Sequence, residues 1–406
     1  MLRDGLPLDN GEHLLLGAYV ETMRVAALVH AGTVASPWIT APLAIRPLSA
    51  QQCNALTLRA RNLPAPLGLL VGLLRARGLT WRERAATIRW FAALRRAAFQ
   101  CAVGATVADL IAPLPSRVRD NLWAPLCVAA LNTPATEASA QVFLNVLREA
   151  FGGAADAATM VIARNGLAAA FPEQAGDWLR ARGHAVQLSS RLRVMDADDA
   201  GVADATGTRR ADAVVVAVGP HQLATAFDAS LATHDAAVAA ALRQVATLAW
   251  QPIITAYLGY DAVVDLPRGL VRLDDRPGQW VFDRGDILRR AAASHSRPAL
   301  GALLSVVISA HGHHDALDQP ALVAAIDAQL RRLRPSLPTL RWSQVIAEKR
   351  ATYSCVPAIA NPPCGRLTGR VYLAGDYTYP AFPATLEAAV RSGVAAARAV
   401  IADVPA

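Results

Sequence analysis

The sequence has few charged residues and almost no lysine. Charged residues make up 18% of the 406 residues, and lysine occurs once, at Lys349, so arginine supplies nearly all of the positive charge. Hydrophobic residues make up 53%, and the mean hydropathy is +0.27. A chain of this length and composition can bury a large core, which predicts two domains or one elaborate domain.

Long apolar runs are also missing. No stretch reaches the roughly 18 apolar residues that a membrane-spanning helix needs. The segment from Met1 to Asp9 lacks the apolar core of a signal peptide. We therefore expect a cytoplasmic protein.

Cysteine is scarce, and its spacing fits neither disulfides nor zinc. The five cysteines are Cys53, Cys101, Cys127, Cys355 and Cys364, and no two of them form a CxxC pair. An odd number without paired spacing predicts buried free thiols rather than a disulfide framework or a metal site. The histidines of Ser309–Asp315 have no second ligand motif nearby, which favours a solvated loop over a metal centre.

The net charge is +8. A codon bias toward arginine is one explanation, and a basic surface that favours anionic membranes is another. No recognition motif for nucleic acid accompanies the charge, so we do not expect a nucleic-acid partner.

Residues 45–150 are predicted to be mainly helical. Thr80 and Glu83 form a capping box that opens a helix running to about Gln100. A second helix is expected over Glu137–Phe151. The apolar stretch Pro64–Leu74 is too short to span a bilayer.

Three segments resemble strands of an α/β sheet. They are Ala185–Leu188, the buried parallel strand Ala213–Val218, and Val371–Ala374. Two further segments, Pro252–Gly259 and Leu300–Ala310, are rich in β-formers and are expected in the floor of a second domain. Because the α/β segments are far apart in the chain, we predict two interleaved domains.

The most informative segment is Val371–Gly393. It predicts a strand, a turn at Gly375 and Asp376, a loop, and a helix that begins near Thr385. A carboxylate at a strand end suits a ribose or ribityl hydroxyl. The free N–H groups and positive dipole of the helix start stabilise negative charge on a flavin or a pyrophosphate. An ordinary strand–loop–helix unit is the alternative.

This segment resembles the closing motif of the FAD-dependent amine oxidase and carotenoid desaturase superfamily. More narrowly, the chain resembles the squalene-associated FAD-dependent desaturases, also called hydroxysqualene dehydroxylases. The matching segments span nearly the whole chain: Leu8–Tyr19, Leu122–Cys127, Ala130–Pro134, Ala138–Phe143, Pro277–Trp280, Glu348–Thr352 and Val371–Gly393.

The resemblance implies an FAD enzyme that removes the hydroxyl of hydroxysqualene to give squalene in hopanoid biosynthesis. It places Gly375 and Asp376 at the ribityl–pyrophosphate part of FAD, and Leu192 at the adenine. Gly11 would lie in the segment that passes the flavin. Thr385, Leu386 and Glu387 would lie at the helix start beside the isoalloxazine.

One departure from the family is plain. Family members begin with a strand, a GxGxxG turn and a helix that cradle the FAD pyrophosphate, and no GxGxxG occurs in this sequence. We expect that a segment of very roughly 40 residues is missing before Met1, through a misplaced start site or a true truncation. A truncated chain would bind FAD weakly or not at all.

Two residues are candidates for chemistry. His13 suits the protonation of a leaving hydroxyl, or it caps a turn. Asp9 is predicted to orient the loop or His13. Lys349 is interpreted either as a compact ammonium that binds a flavin-linked water or the substrate oxygen, or as an exposed lysine at a strand end.

We therefore predict an α/β fold. A truncated Rossmann-like FAD domain would comprise residues 1–45, 155–225 and 345–406, and a mixed α+β substrate domain residues 46–154 and 226–344. The expected partners are an isoprenoid lipid, the inner membrane face through residues 64–100, and other squalene-pathway enzymes. Carotenoid desaturation, amine oxidation and an inactive remnant are the alternatives.

Overall fold

The computed structural model describes residues 2–3, 6–31, 36–291 and 301–404. The chain divides into two compact units. Unit 1 contains residues 1–18, 32–174 and 250–357, and unit 2 contains residues 19–31, 175–249 and 358–406. Both units combine segments from distant parts of the sequence. The predicted FAD domain contains the whole of residues 1–45 and 345–406. In the structure, part of each of these two segments belongs to unit 1 and part to unit 2.

The strands of the described residues are β1 (Leu2–Arg3), β2 (Leu6–Pro7), β3 (Leu14–Leu16), β4 (Trp38–Pro42), β5 (Ala44–Pro47), β6 (Leu58–Arg59), β7 (Thr159–Ala163), β8 (Arg193–Asp196), β9 (Gly201–Asp204), β10 (Gly207–Arg210), β11 (Val214–Val216), β12 (Trp250–Tyr260), β13 (Leu270–Arg272), β14 (Trp280–Asp283), β15 (Leu303–Ser309), β16 (Leu340–Tyr353), β17 (Gly365–Thr368) and β18 (Val371–Leu373).

The α-helices of the same residues are α1 (Val20–Val29), α2 (Leu67–Leu74), α3 (Trp81–Arg96), α4 (Val107–Ile111), α5 (Ser116–Val118), α6 (Ala124–Leu131), α7 (Ala140–Phe151), α8 (Leu167–Ala170), α9 (Pro172–Arg180), α10 (Ala229–His234), α11 (Ala236–Ala246), α12 (Arg284–Ala291), α13 (Gln319–Leu333) and α14 (Leu386–Asp403). Short 3₁₀ turns cover Pro220–Ala226, His313–Ala316 and Asp376–Thr378, and a π-helical turn covers Arg119–Trp123.

Unit 1 is built on a seven-stranded sheet in the order β16-β12-β15-β14-β13-β5-β6. Neighbouring strands are antiparallel except β13 and β5, which are parallel. Helix α13 buries Leu322, Ile326 and Leu330 in the same core as residues of β12 and β15. Their spacing of four residues places them on one face of the helix. A second, antiparallel sheet has the order β3-β7-β4.

Unit 2 contains a small sheet in the order β11-β18-β17, in which β11 and β18 run parallel. All three residues of β18 are buried. Helix α14 buries Ala388, Ser392 and Ala396, which recur every four residues. An antiparallel sheet of β10, β9 and β8 lies in the same unit.

The sequence predicted several of these elements. The Thr80–Glu83 capping box opens α3, which ends at Arg96, a few residues earlier than expected. Helix α7 begins at Ala140 because Ser139 caps it and accepts from the Val142 amide. The β-rich segments form the neighbouring strands β12 and β15, although Leu300 lies outside the described residues.

Two strand predictions were wrong, one in full and one in part. Residues 185–188 form no strand, and Leu188 is 78% exposed. An apolar run of this length needs a ladder partner, and the described residues supply none. Strand β11 is shorter than Ala213–Val218, and Val215 is 43% exposed, so this strand is not buried on both faces.

Candidate functional site

The turn after β18 in unit 2 is held by local hydrogen bonds. The Gly375 amide donates to Ser392 Oγ in α14 at 2.8 Å, and Thr378 Oγ1 donates to the Gly375 carbonyl at 2.8 Å. Gly375 has a φ of +158°, and a Cβ there would overlap the Tyr377 ring. Glycine therefore allows the strand end to approach both the ring and α14.

Asp376 follows this glycine and is partly buried. Burial raises the pKa of its carboxyl to about 6, while the Tyr377 amide, which donates at 2.9 Å, acts in the opposite direction. The neighbouring Tyr377 hydroxyl is buried and has no hydrogen-bond partner among the described residues. The Tyr377 hydroxyl is therefore a group that a polar ligand could satisfy, and it lies beside the Asp376 carboxylate.

Helix α14 begins beside this turn. Thr385 caps it, and its Oγ1 accepts from the Ala388 amide at 3.1 Å. Leu386 is 38% exposed, at the first position of the helix. The amides of the first helical turn have no acceptor within the helix, so this end can stabilise an anionic group.

Glu387, also in this first turn, makes contacts that the sequence did not reveal. Its carboxylate is buried and accepts from the backbone amides of Glu21 and Thr22 at 3.0 Å each. Arg391 Nε donates to the same carboxylate at 2.7 Å. The Glu387 side chain therefore caps α1 and pairs with an arginine of its own helix.

Leu192 is 40% exposed and lies directly before β8 in unit 2. Its backbone is thus placed at the edge of the β10-β9-β8 sheet.

In unit 1, the segment Asp9–His13 is fixed at its start. Asp9 Oδ2 accepts from the Leu167 amide at 3.1 Å, and the Asp9 carbonyl accepts from Tyr257 Oη at 3.1 Å. These bonds tie the segment to the start of α8 and to β12. Asp9 therefore acts on the loop conformation, which agrees with its predicted orienting role.

A buried acid–base cluster includes Glu12 of this segment, and the sequence did not indicate it. Glu12 and Arg284 have side chains that are 5% and 3% exposed, with Glu12 Oε1 and Arg284 Nη1 3.6 Å apart. Ser305 Oγ donates to Glu12 Oε2 at 2.9 Å. Burial raises the pKa of Glu12, and the nearby Arg284 opposes that shift. The three residues come from distant parts of the chain, so no spacing pattern could have joined them.

His13 lies next to this cluster. Its ring is 3.4 Å from Asn10 Oδ1, and burial lowers the pKa of the imidazole, with Asp9 opposing. Thr255 Oγ1 is buried without a hydrogen-bond partner in the described part of the chain. A Cβ on Gly11 would lie 3.8 Å from both His13 and Thr255, which is an ordinary contact. The described residues therefore do not by themselves require glycine at position 11.

Lys349 is exposed near the end of β16. It lies where the β12–β16 pairing shifts register, between the pairs Ile253–Glu348 and Gln251–Thr352. Such irregularities redirect side chains at a sheet edge.

Two segments that carried the family resemblance meet in unit 1. Asn132 ends α6 in the left-handed conformation, and its Nδ2 donates to Thr352 Oγ1 at 2.9 Å. Its Oδ1 accepts from the Ala310 amide at 2.7 Å. Thr133 Oγ1 accepts from the Cys355 amide at 3.0 Å. Asn132 Nδ2 also donates to the Pro252 carbonyl at 3.3 Å, so the pair links a helix end to β12, to β16 and to the residue that follows β15.

The histidine cluster forms a turn stabilised by Asp315. The Asp315 carboxylate contacts His311 Nδ1 at 2.8 Å and accepts from the Gly312 amide at 3.1 Å. Among the residues that the structure describes, no group of three or more His, Cys, Asp or Glu side chains could hold a metal ion. Within the same residues, no helix has both the length and the apolar character needed to cross a bilayer.

The fold is that of flavin-dependent amine oxidases. A putrescine oxidase double mutant superposes with a TM-score of 0.68 at 15% identity, over 99% of this chain and 90% of that chain. Cyclohexylamine oxidase from Brevibacterium oxydans IH-35A gives 0.63 at 16% identity, over 98% and 88%. At such low identity these similarities show the fold alone, and they confirm the predicted fold class.

The sequence pattern of the flavin-containing amine oxidoreductases matches residues 103–401. The chain therefore belongs to the flavin-containing amine oxidoreductase family. This assignment confirms the predicted class, an FAD-dependent oxidoreductase, and its flavin cofactor.

Curated relatives are hydroxysqualene dehydroxylases. The one from Rhodopseudomonas palustris is 31% identical over 292 residues, which is 70% of this chain and 62% of the relative. The one from Zymomonas mobilis is 28% identical over 305 residues, 72% of this chain and 66% of the relative. The aligned part of the chain thus spans just under two thirds of each relative.

The residues of unit 2 fit part of an FAD molecule. A flavin-chain hydroxyl can donate to Asp376, and a polar group can pair with the buried Tyr377 hydroxyl, which otherwise has no partner in the described residues. The free backbone amides at the start of α14 suit a negatively charged edge of the flavin. The Glu387 carboxylate is already engaged, so a ligand at this helix start would meet backbone amides rather than that side chain.

Proposed function

We propose that the protein catalyses the FAD-dependent reductive dehydroxylation of hydroxysqualene to squalene, as a step of hopanoid or isoprenoid biosynthesis. The observation that carries the proposal is the similarity to relatives named hydroxysqualene dehydroxylase, at 31% and 28% identity over most of this chain. The fold supports a flavoenzyme. Amine oxidation and carotenoid desaturation are the alternative reactions, and the substrate that is converted distinguishes them.

Several residues are assigned to the cofactor by this proposal. Gly375 and Asp376 would bind the ribityl–pyrophosphate part, and the partly buried carboxylate supports this role. Thr385, Leu386 and Glu387 would contribute the helix start beside the flavin ring. Leu192 would meet the adenine through its backbone. Gly11 would lie in the segment that passes the flavin.

The reaction needs an acid that protonates the departing hydroxyl. Bound reduced FAD supplies the hydride. His13 donates the proton to the hydroxyl oxygen, which leaves as water. Burial lowers the pKa of His13, so its protonated form is a stronger acid than an exposed imidazolium. Asp9, whose carboxylate holds the Leu167 amide, keeps the segment in place. Lys349 stays a candidate for binding the substrate oxygen.

A C30 isoprenoid is nearly insoluble in water, so the enzyme needs access to a lipid phase. We place a peripheral contact with the inner face of the cell membrane at residues 64–100. Helix α2 is apolar, and the arginine-rich α3 follows it. Apolar insertion and attraction of arginines to anionic lipids act together in such contacts. Other squalene-pathway enzymes that pass on the lipid are further proposed partners.

Substrate conversion tests the proposed reaction. The protein is loaded with FAD, reduced chemically without oxygen, and incubated with hydroxysqualene dispersed in neutral detergent. We expect squalene by gas chromatography and mass spectrometry, with reoxidation of the flavin. Unchanged hydroxysqualene together with hydrogen peroxide formed from amines would contradict the proposal, as would dehydrogenation of phytoene. Protein that purifies colourless and does not take up FAD would indicate an inactive remnant.

A further inference from the structure

A cleft of about 550 Å³ opens in unit 1 beside α2. Three arginines line it, namely Arg59, Arg61 and Arg75, together with apolar side chains that include Leu63 and Val71. We refer to it as the arginine cleft. None of the residues assigned to FAD or to dehydroxylation lies in it.

The backbone beneath the arginine cleft is fixed by close packing of α2. A Cβ on Gly72 would lie 2.8 Å from the Arg59 carbonyl oxygen, and one on Gly68 would overlap the Arg61 carbonyl oxygen. The Arg61 amide also donates to the Gly68 carbonyl at 3.3 Å. The two glycines, one turn apart, let the helix lie directly on this segment. Arg75 follows the last residue of the same helix.

Among the residues that the structure describes, no carboxylate neutralises these three positive charges. Each arginine is exposed, and within the described residues none of the three guanidinium groups forms an ion pair or a hydrogen bond. In the described part of the chain, no aspartate or glutamate lines the cleft. Three guanidinium groups around one cavity are complementary to a phosphate group, because the planar donor fork of arginine matches phosphate oxygens.

Exposed apolar side chains lie on α2 and on the residues that flank this helix. Leu63, Leu67 and Leu74 are 39%, 49% and 42% exposed. Trp81 is 69% exposed, and the Arg84 guanidinium stacks 4.5 Å from its ring centroid while donating to the Leu74 carbonyl at 2.7 Å. Tryptophan favours the interface between lipid and water, and exposed leucines favour the acyl region.

We propose that the arginine cleft binds the phosphate headgroup of an anionic phospholipid while Leu63, Leu67 and Leu74 enter the outer acyl region. The crevice next to the cleft has a volume of about 10 Å³, room for roughly one water. The acyl chains therefore stay in the bilayer. The site rests on the proposed membrane contact. It adds a specific ligand and two arginines outside residues 64–100, Arg59 and Arg61. The exposed leucines would add no affinity for a nucleic acid.

Vesicle binding by the full chain tests this site. Vesicles contain phosphatidylcholine alone or a mixture with phosphatidylglycerol, and binding is measured by co-sedimentation. The variant Arg59→Gln/Arg61→Gln/Arg75→Gln should bind the mixed vesicles about 100-fold more weakly, from about fivefold per arginine. The matched control Arg117→Gln/Arg243→Gln/Arg268→Gln loses the same charge from exposed positions elsewhere, and we expect a severalfold effect at most.

Three outcomes would overturn the headgroup site. An equal loss in both triple variants would show that only net charge matters. Inorganic phosphate or glycerol phosphate that displaces the protein from vesicles at low millimolar concentration would identify a free phosphate compound as the ligand. A single-stranded oligonucleotide whose binding depends on the three arginines more than vesicle binding does would identify a nucleic-acid site.

A second variant tests the exposed leucines. Leu67→Gln/Leu74→Gln should weaken vesicle binding at least tenfold, because two exposed leucines no longer enter the bilayer. Unchanged binding would contradict the lipid assignment. Circular dichroism confirms that each variant is folded. The vesicles contain no hydroxysqualene. Loss of vesicle binding therefore does not bear on the dehydroxylation assay, and a negative dehydroxylation assay does not bear on vesicle binding.

Discussion

The carboxylate of Glu387 accepts two hydrogen bonds from Thr22, one from its amide at 3.0 Å and one from its hydroxyl at 2.7 Å. The first turn of α14 therefore caps the first turn of α1, across a sequence separation of 365 residues. Both residues are buried. The contact joins the segment Tyr19–Ala31 to the C-terminal part of unit 2.

Glu387→Gln should lower the free energy of unfolding by about 2–3 kcal/mol. The amide removes the charge that supports these hydrogen bonds and turns an NH₂ group toward N–H donors. Urea unfolding followed by circular dichroism measures the loss. The control is Glu21→Gln, which removes a partly exposed pair with Arg24 and should cost about 0.5 kcal/mol or less. Equal effects would show that the Glu387 contact contributes little.

Asp376→Ala should weaken FAD binding roughly 10- to 100-fold. The variant loses a hydrogen bond between a carboxylate and a flavin hydroxyl, about 1.5–3 kcal/mol. Quenching of flavin fluorescence on binding gives the dissociation constant, and circular dichroism confirms the fold. Asp212→Ala, next to β11 in the same unit, is the control and should leave the affinity unchanged. An unchanged affinity in Asp376→Ala would show that the carboxylate does not face FAD.

FAD affinity should also fall in acid. Burial raises the pKa of Asp376 to about 6, and a hydroxyl donor binds the ionised form. Below that pH the free protein must release a proton to bind FAD, so the affinity falls by up to about tenfold per pH unit. Above it, the affinity should be constant. Titration on both sides of the pKa gives the slope, and Asp376→Asn should abolish it. A slope that persists in Asp376→Asn belongs to another group.

The dehydroxylation rate should fall as the pH rises. His13 must be protonated to act as the acid, and burial holds its pKa below the usual 6.5. The active form is therefore present below that pKa and is lost above it. His13→Gln should reduce the rate about 10²- to 10⁴-fold and remove this limb of the profile, with FAD still bound. A rate that rises with pH, or a His13→Gln enzyme with normal turnover, would assign the acid elsewhere.

Arg284→Met should destabilise the protein by about 3–5 kcal/mol. It leaves Glu12 buried without its cation, and the pKa of Glu12, already raised by burial, rises further. A carboxyl whose folded pKa is raised loses stability as the pH rises through that pKa. The deficit should therefore be larger above neutrality than in mildly acidic buffer. Thermal unfolding at both pH values measures it. The double variant Glu12→Gln/Arg284→Met should recover part of the loss and lose the pH dependence.

The sequence by itself determined the family and several local elements. The Thr80–Glu83 capping box, the Thr385 cap of α14, and the strand before Gly375 and Asp376 are set by side chains within a few residues of one another. Short-range hydrogen bonds and periodic apolar residues are visible in a linear chain, because their partners lie at fixed spacings.

Only the tertiary structure decided the contacts between distant segments. Glu12, Arg284 and Ser305 meet because the segment before β3, helix α12 and strand β15 bring them together, and no spacing encodes that meeting. The same holds for Glu387 capping α1 and for the three arginines of the cleft beside α2. It also holds for residues 185–188, whose apolar character predicted a strand. A strand forms only where a neighbouring strand offers hydrogen bonds, and that neighbour is a property of the fold.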